Sequence, residues 1–148
     1  MPTLLHNKVA MNIVDGIREQ LRSIASGVGK AAAFAQKIDH SPGVIIFDDP
    51  DFDRHDPDAS FRHYEAKYPG VIIEISYTQK RKDLLRLADD YILGSDARVR
   101  VVVGVDLDYR GKMATLSIWR PRIEINDAGE EELIAHQTVS DQVFPVDH

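Results

Sequence analysis

Two carboxylates stand where charge is least expected. Asp58 heads a short strand-like run, Ala59 to Arg62, and Glu74 interrupts the apolar run from Gly70 to Tyr77, in which four of eight residues are β-branched aliphatics. A run of that kind, bounded by Pro69-Gly70 and a polar cluster, predicts a central strand. A carboxylate within it must be neutralised, paired or bound to a cation, because an unpaired buried charge costs several kcal/mol. Asp58 alone is equally a turn or cap residue. If the two runs pair as an antiparallel hairpin, however, the two acids meet, and they repel unless a divalent cation sits between them. With oxygen ligands only, that cation is magnesium or manganese, and the backbone carbonyl of Ile75 could complete its shell. Such a site suits metal-assisted phosphodiester hydrolysis, with Lys80 or Lys82 orienting the nucleophile or stabilising the charge that develops.

The elements that must position these groups are legible in outline. From Lys8 to about Ser26, apolar residues recur at Val9, Ile13, Ile17, Leu21 and Ile24, which predicts an amphipathic helix. Its Glu19 reads as a solvated residue between Arg18 and Arg22. Lys30 to Ile38 adds an Ala-rich turn or two, and Val44-Ile45-Ile46-Phe47 reads as a short strand after the Ser41-Pro42-Gly43 turn. Six aspartates crowd positions 48–58, but the glycine and terminal glutamate of a calcium loop are missing, so the segment reads as a solvated acidic connection.

Beyond Glu74, Thr78 is a candidate cap for a helix that carries Leu84, Leu85, Leu87, Ala88, Tyr91 and Ile92 at helical period. Its first turns hold Lys80, Arg81, Lys82 and Arg86. Cations there oppose the helix dipole, which an anionic partner would explain; an exposed polar face explains it equally. The Val-rich run after Arg98 predicts a second central strand, parallel to that of Glu74 through the helical crossover. Met113 to Trp119 alternates as a strand, and Glu132 to Val139 predicts an edge strand returning after the turn at Asn126–Gly129. His63, His136, Trp119 and Asp89-Asp90 read as ordinary strand, core and surface residues.

At 148 residues the chain reads as one domain able to bury a core without staples. It has no cysteine, which excludes disulfides and thiolate-zinc sites. The first eight residues lack the apolar core of a signal peptide and no window reaches 18 apolar residues, so the expectation is a soluble intracellular protein, cytoplasmic or nuclear. A net charge of −6 argues against indiscriminate binding to phosphate backbones.

Taken together, Pro57-Asp58, Glu74-Ile75-Ser76 and the helix with Gln79 and Lys80 resemble the PD-(D/E)XK nuclease superfamily. More narrowly, Pro57-Asp58-Ala59-Ser60, Tyr68 to Ser76, Lys82-Asp83-Leu84 and Tyr91 resemble the Uma2-type restriction endonuclease-like proteins and their fungal relatives. The resemblance covers about residues 42–108. It implies an α/β restriction-endonuclease-like core, a mixed central β-sheet flanked by helices; the N-terminal helix at 8–26 and the C-terminal strands at about 112–140, read from their own periodicity, complete a single domain. It also implies that Asp58 and Glu74 are metal ligands and that the activity is magnesium-dependent DNA cleavage; with it, Ile75 is expected to complete the shell of Mg2+ or Mn2+, Lys80 and Lys82 to assist, and Lys80, Arg81, Lys82 and Arg86 to face DNA. A homodimer is compatible with it. The sequence departs from the pattern at Ser76, where the superfamily places its lysine, and at Leu87, where some relatives place it instead. A serine cannot supply the positive charge. A catalytically silent nucleic-acid-binding or protein-interaction domain is therefore the alternative expectation.

Overall fold

The computed structural model describes residues 4–77, 81–108 and 112–145. In chain order the elements are α1 (Leu4–Ala25), α2 (Lys30–Ala35), β1 (Ile38–His40), β2 (Ala59–His63), β3 (Val71–Tyr77), α3 (Arg81–Gly94), β4 (Val101–Leu107), β5 (Met113–Ile125) and β6 (Glu131–Pro145). The six strands form one sheet in sequence order. All neighbours are antiparallel except β3 and β4, which run parallel and are joined through α3. This is an α/β fold with a mixed sheet flanked by helices, as the sequence predicts.

The alternation along β3 divides the molecule into two apolar layers. Ile73 and Ile75 pack with Phe61, Val105, Leu107 and the α1 residues Val9, Ala10 and Val14. Ile72 points the other way and packs with Leu84, Ala88, Tyr91 and Ile92 of α3, together with Val102 and Trp119. Because side chains on a strand alternate, Glu74 and Ser76 share the α3 face with Ile72. Fully burying an aliphatic side chain such as Ile72, Ile73 or Ile92 stabilises the fold by roughly 1.5–3 kcal/mol each, enough to hold one carboxyl at the margin of the α3 layer.

Two segments differ from the expectation. Val44 to Phe47 is not a strand: its sole ladder contact among the described residues is a single bridge between Ile45 and His55. β1 already occupies the edge beside β2, and Ile45 and Phe47 are apolar because they cap the α3 layer beside Tyr68 and Tyr91. At the other end, β6 runs to Pro145 and not to about 140, with Val143 to Pro145 paired to Met113 to Thr115. The register shifts near Leu116 and Ile118, and Asp141 takes a φ of 52°. Such an irregularity breaks the two-residue alternation by which the strand would otherwise be recognised.

The β5–β6 hairpin outreaches its neighbour. β4 pairs with Ala114 to Trp119, so Arg120 to Ile125 have β6 as their ladder partner among the described residues. The hairpin closes through Asn126, whose Oδ1 accepts from the N–H groups of Ala128 (3.0 Å) and Glu130 (2.9 Å). Gly129, at φ 79°, supplies the left-handed residue of that turn. No described helix is long and apolar enough to cross a membrane.

Candidate functional site

The β2–β3 register sets the site. Ala59 lies opposite Ile73 and Ser60 opposite Ile72, which puts Asp58 beside Glu74 on the α3 face one step beyond the last pair. Asp58 is anchored by its own strand partner: Oδ2 accepts a 2.7 Å hydrogen bond from the Ile75 backbone N–H. Glu74 is anchored from the helix, its Oε1 accepting a 2.6 Å bond from the Tyr91 hydroxyl. Tyr91 itself is fully buried. It reaches Glu74 from the third turn of α3, across the crossover that joins β3 to β4.

Burial beneath α3 pushes the Glu74 carboxyl up to about 8, against the Tyr91 hydrogen bond, which pulls the other way. Asp58 adds to the rise both by its charge and by a hydrogen bond with Glu74, and Asp56 adds by charge alone. Two carboxyls in contact in a partly apolar setting cannot both ionise cheaply, so at neutral pH one proton is held between them. The Tyr91 hydroxyl is pushed well above the ordinary phenol range by burial and by Glu74, and it acts here as a hydrogen-bond donor.

The donor set fits a hard divalent cation. It consists of oxygen ligands alone, converging from two adjacent strands, and a cation can take the place of the shared proton. No group of three or more His, Cys, Asp or Glu side chains converges among the described residues. Two carboxylates, with water or substrate oxygens completing the shell, suit magnesium, which retains most of its water and uses one or two carboxylates. The Ile75 N–H is engaged by Asp58, which fixes the backbone whose carbonyl the sequence nominates as a further ligand.

The remaining sequence candidates lie as follows. Lys80 falls outside the described residues, as do the side chains of Arg81 and Lys82. Arg86 is exposed on α3. Ser76, at the motif lysine position, lies opposite Asp106 in the parallel ladder, and its Oγ is 3.3 Å from Asp106 Oδ1. Asp106 is itself buried, so the position beside Glu74 and Ser76 carries more acid than the sequence pattern led one to expect. Leu87 packs against the α3 layer. Glu19 is exposed on α1, the helix that covers the opposite face of the sheet from Glu74.

The aspartate-rich connection is held by local contacts. Lys67 Nζ lies 2.5 and 2.6 Å from the two oxygens of Asp48, which holds that carboxyl below its usual range, and Asp49 Oδ1 accepts from the Asp51 N–H. Sequence reasoning missed a second half-buried pair flanking the site, His55 Nε2 and Asp90 Oδ2 at 2.8 Å, with the His55 ring 5.3 Å from that of Tyr91. The acidic composition around His55 gave no sign that it folds back onto the helix.

Comparison of the chain with family models, with curated proteins and with solved structures gives no match in any of the three.

Proposed function

We propose that this chain is a metal-dependent nuclease of PD-(D/E)XK type, resembling the Uma2-like proteins, that hydrolyses DNA phosphodiester bonds. The observation that carries the reading is the cross-strand contact between Asp58 and Glu74 on one face of a mixed sheet. The β2–β3 hairpin followed by the β3–α3–β4 crossover supports it, since that order is what a restriction-endonuclease-like core requires of this segment.

In this reading Asp58 and Glu74 hold Mg2+ or Mn2+ together with the Ile75 carbonyl. A cation held there would supply Lewis-acid chemistry, polarising a phosphoryl oxygen and acidifying an attacking water. The Ile75 N–H and Tyr91 hydroxyl keep the two carboxyls aimed at one point, so that the site needs little reorganisation when the cation enters. Lys80 or Lys82 orients the nucleophile, and Arg81 and Arg86 meet the DNA backbone.

The test combines cation titration with cleavage of supercoiled plasmid. Magnesium and manganese should bind at one site and support nicking; D58N and E74Q should each reduce binding at least tenfold and nicking at least a hundredfold. Failure of the wild type to bind either ion removes the proposal.

One observation favours a second reading, a silent nucleic-acid-binding module. The side chain at the lysine position is a neutral hydroxyl engaged with Asp106. That reading predicts cation binding and salt-sensitive DNA binding with no nicking under any divalent ion.

A further inference from the structure

The end of the sheet where β3 and β4 begin carries a feature that the carboxyl pair does not use. A cavity of about 550 Å³ opens there, lined by Phe34, Phe61, His63, Tyr68, Arg98 and Arg100 among others. Its volume lies within the roughly 300–1,000 Å³ range of small-molecule sites. The aromatic side chains are arranged as stacking surfaces. Phe34 stacks on His63 with centroids 5.2 Å apart and an interplanar angle of 29°, and His63 stacks on Tyr64 at 5.2 Å and 14°. Phe34 is nevertheless 58% exposed and Tyr64 66%, an unusual amount of aromatic surface left to solvent at one place.

The charge around this cavity runs against the chain's overall sign. Arg98 lies 5.8 Å over the Tyr68 ring, and Arg100 stands two residues on with one guanidinium nitrogen on the Ala97 carbonyl, which leaves its fork directed by the backbone. Lys37 lies 5.7 Å over the Tyr64 ring and Lys67 5.8 Å over Tyr68. Lys67 is occupied with Asp48, and Glu65 lines the rim as the opposing acid. Two arginines, Arg98 and Arg100, thus line the cavity against the acid Glu65 in a protein whose net charge is −6. Guanidinium groups pair with phosphate through a planar fork, and exposed aromatic faces stack with nucleobases; the two together select a ligand that is planar at one end and anionic at the other.

We propose that this cavity binds a nucleotide unit, its base stacked against the exposed ring of Phe34 and its phosphate held by Arg98 and Arg100. The unit is either a free mononucleotide or the phosphorylated end of a single strand. The site lies at the first residues of β3 and β4, Val71 and Val101, and is separate from Glu74; it does not rest on the nuclease reading.

The test is calorimetry in EDTA, with AMP, adenosine, ribose 5-phosphate and a 5′-phosphorylated pentathymidine as probes. AMP or the oligonucleotide should saturate one site, and adenosine and ribose 5-phosphate should each bind at least tenfold more weakly than AMP. Tighter binding of the oligonucleotide assigns the site to a strand end, and tighter binding of AMP assigns it to free nucleotide. Phe34→Ala and the double substitution R98Q/R100Q remove exposed side chains and should each weaken binding about tenfold or more with unchanged circular dichroism. E74Q should bind AMP as the wild type does, so failure here and failure of the metal site are read separately. Absence of saturation by AMP and oligonucleotide up to about 1 mM, or binding unmoved by both variants, overturns the proposal.

Discussion

The Tyr91 hydroxyl donates a 2.6 Å hydrogen bond to Glu74 Oε1, tying a helix residue to a strand residue seventeen positions earlier. The bond joins the helix of the crossover to the strand that precedes it, at a carboxyl held against the α3 layer. Truncation to Tyr91→Phe leaves the ring in its buried slot and removes the donor. The protein should lose about 1–3 kcal/mol in urea unfolding at pH 7, since a partly buried acceptor is left without its partner. Because that bond pulls the Glu74 pKa down, the same variant should hold its proton more tightly and bind magnesium more weakly at pH 7, by calorimetry. Unchanged affinity would mean that Tyr91 does not position Glu74.

The raised pKa of Glu74 has a definite sign in stability. In the unfolded chain Glu74 loses its proton near the ordinary glutamate value of 4.5, while in the folded chain it keeps it up to about 8. The folded state therefore binds more protons between those values. Its contribution is fully present below about 4.5 and is lost as pH rises through about 8, on the order of a few kcal/mol across the window. E74Q mimics the protonated form and should flatten that slope. Urea titrations at half-unit pH steps measure both curves, and parallel curves for the two proteins would refute the assignment.

Cation and proton compete for the same two carboxyls. Saturating magnesium should raise the melting temperature more at pH 8.5 than at pH 6, and its binding should release protons, giving calorimetric heats that scale with buffer ionisation enthalpy. D58N should abolish both the shift and its pH dependence. An equal shift at both pH values would place the ion elsewhere.

Gly104, opposite Glu74 in the parallel ladder, tests the packing that surrounds the site. A methyl there would come within 2.9 Å of Trp119 Cζ3 and 3.1 Å of Leu84 Cδ1. Gly104→Ala should cost about 1–3 kcal/mol through overpacking, with a change in the emission of Trp119, the single tryptophan. Native-like stability and emission would show that the α3 layer yields easily.

Much of this architecture is written in local patterns. The buried run of β3, the period of α3 and the valines of β4 each announce an element, and a crossover of that length leaves parallel pairing as the economical connection. The contact between Asp58 and Glu74 follows from a hairpin register once β2 and β3 are recognised. Val44 to Phe47 misleads because an apolar segment that caps a layer has the same composition as a strand. Tyr91 looks like any core aromatic of a helix, since nothing local records that its hydroxyl meets a carboxyl on another element. The stacking of Phe34 on His63 joins α2 to β2 and is invisible for the same reason.

The long β5–β6 ribbon has a practical consequence. Past Trp119 it is a two-stranded arm without a third strand beside it among the described residues, with Ile123 and Ile125 60% and 66% exposed, so little of the protein's folding energy is invested at its tip. The tip is roughly 25 Å along the strand from the residue opposite Gly104. A fluorophore or surface tether inserted between Asp127 and Gly129 would ride on that arm and report on the molecule from a distance, with the Asp58–Glu74 contact left as it is.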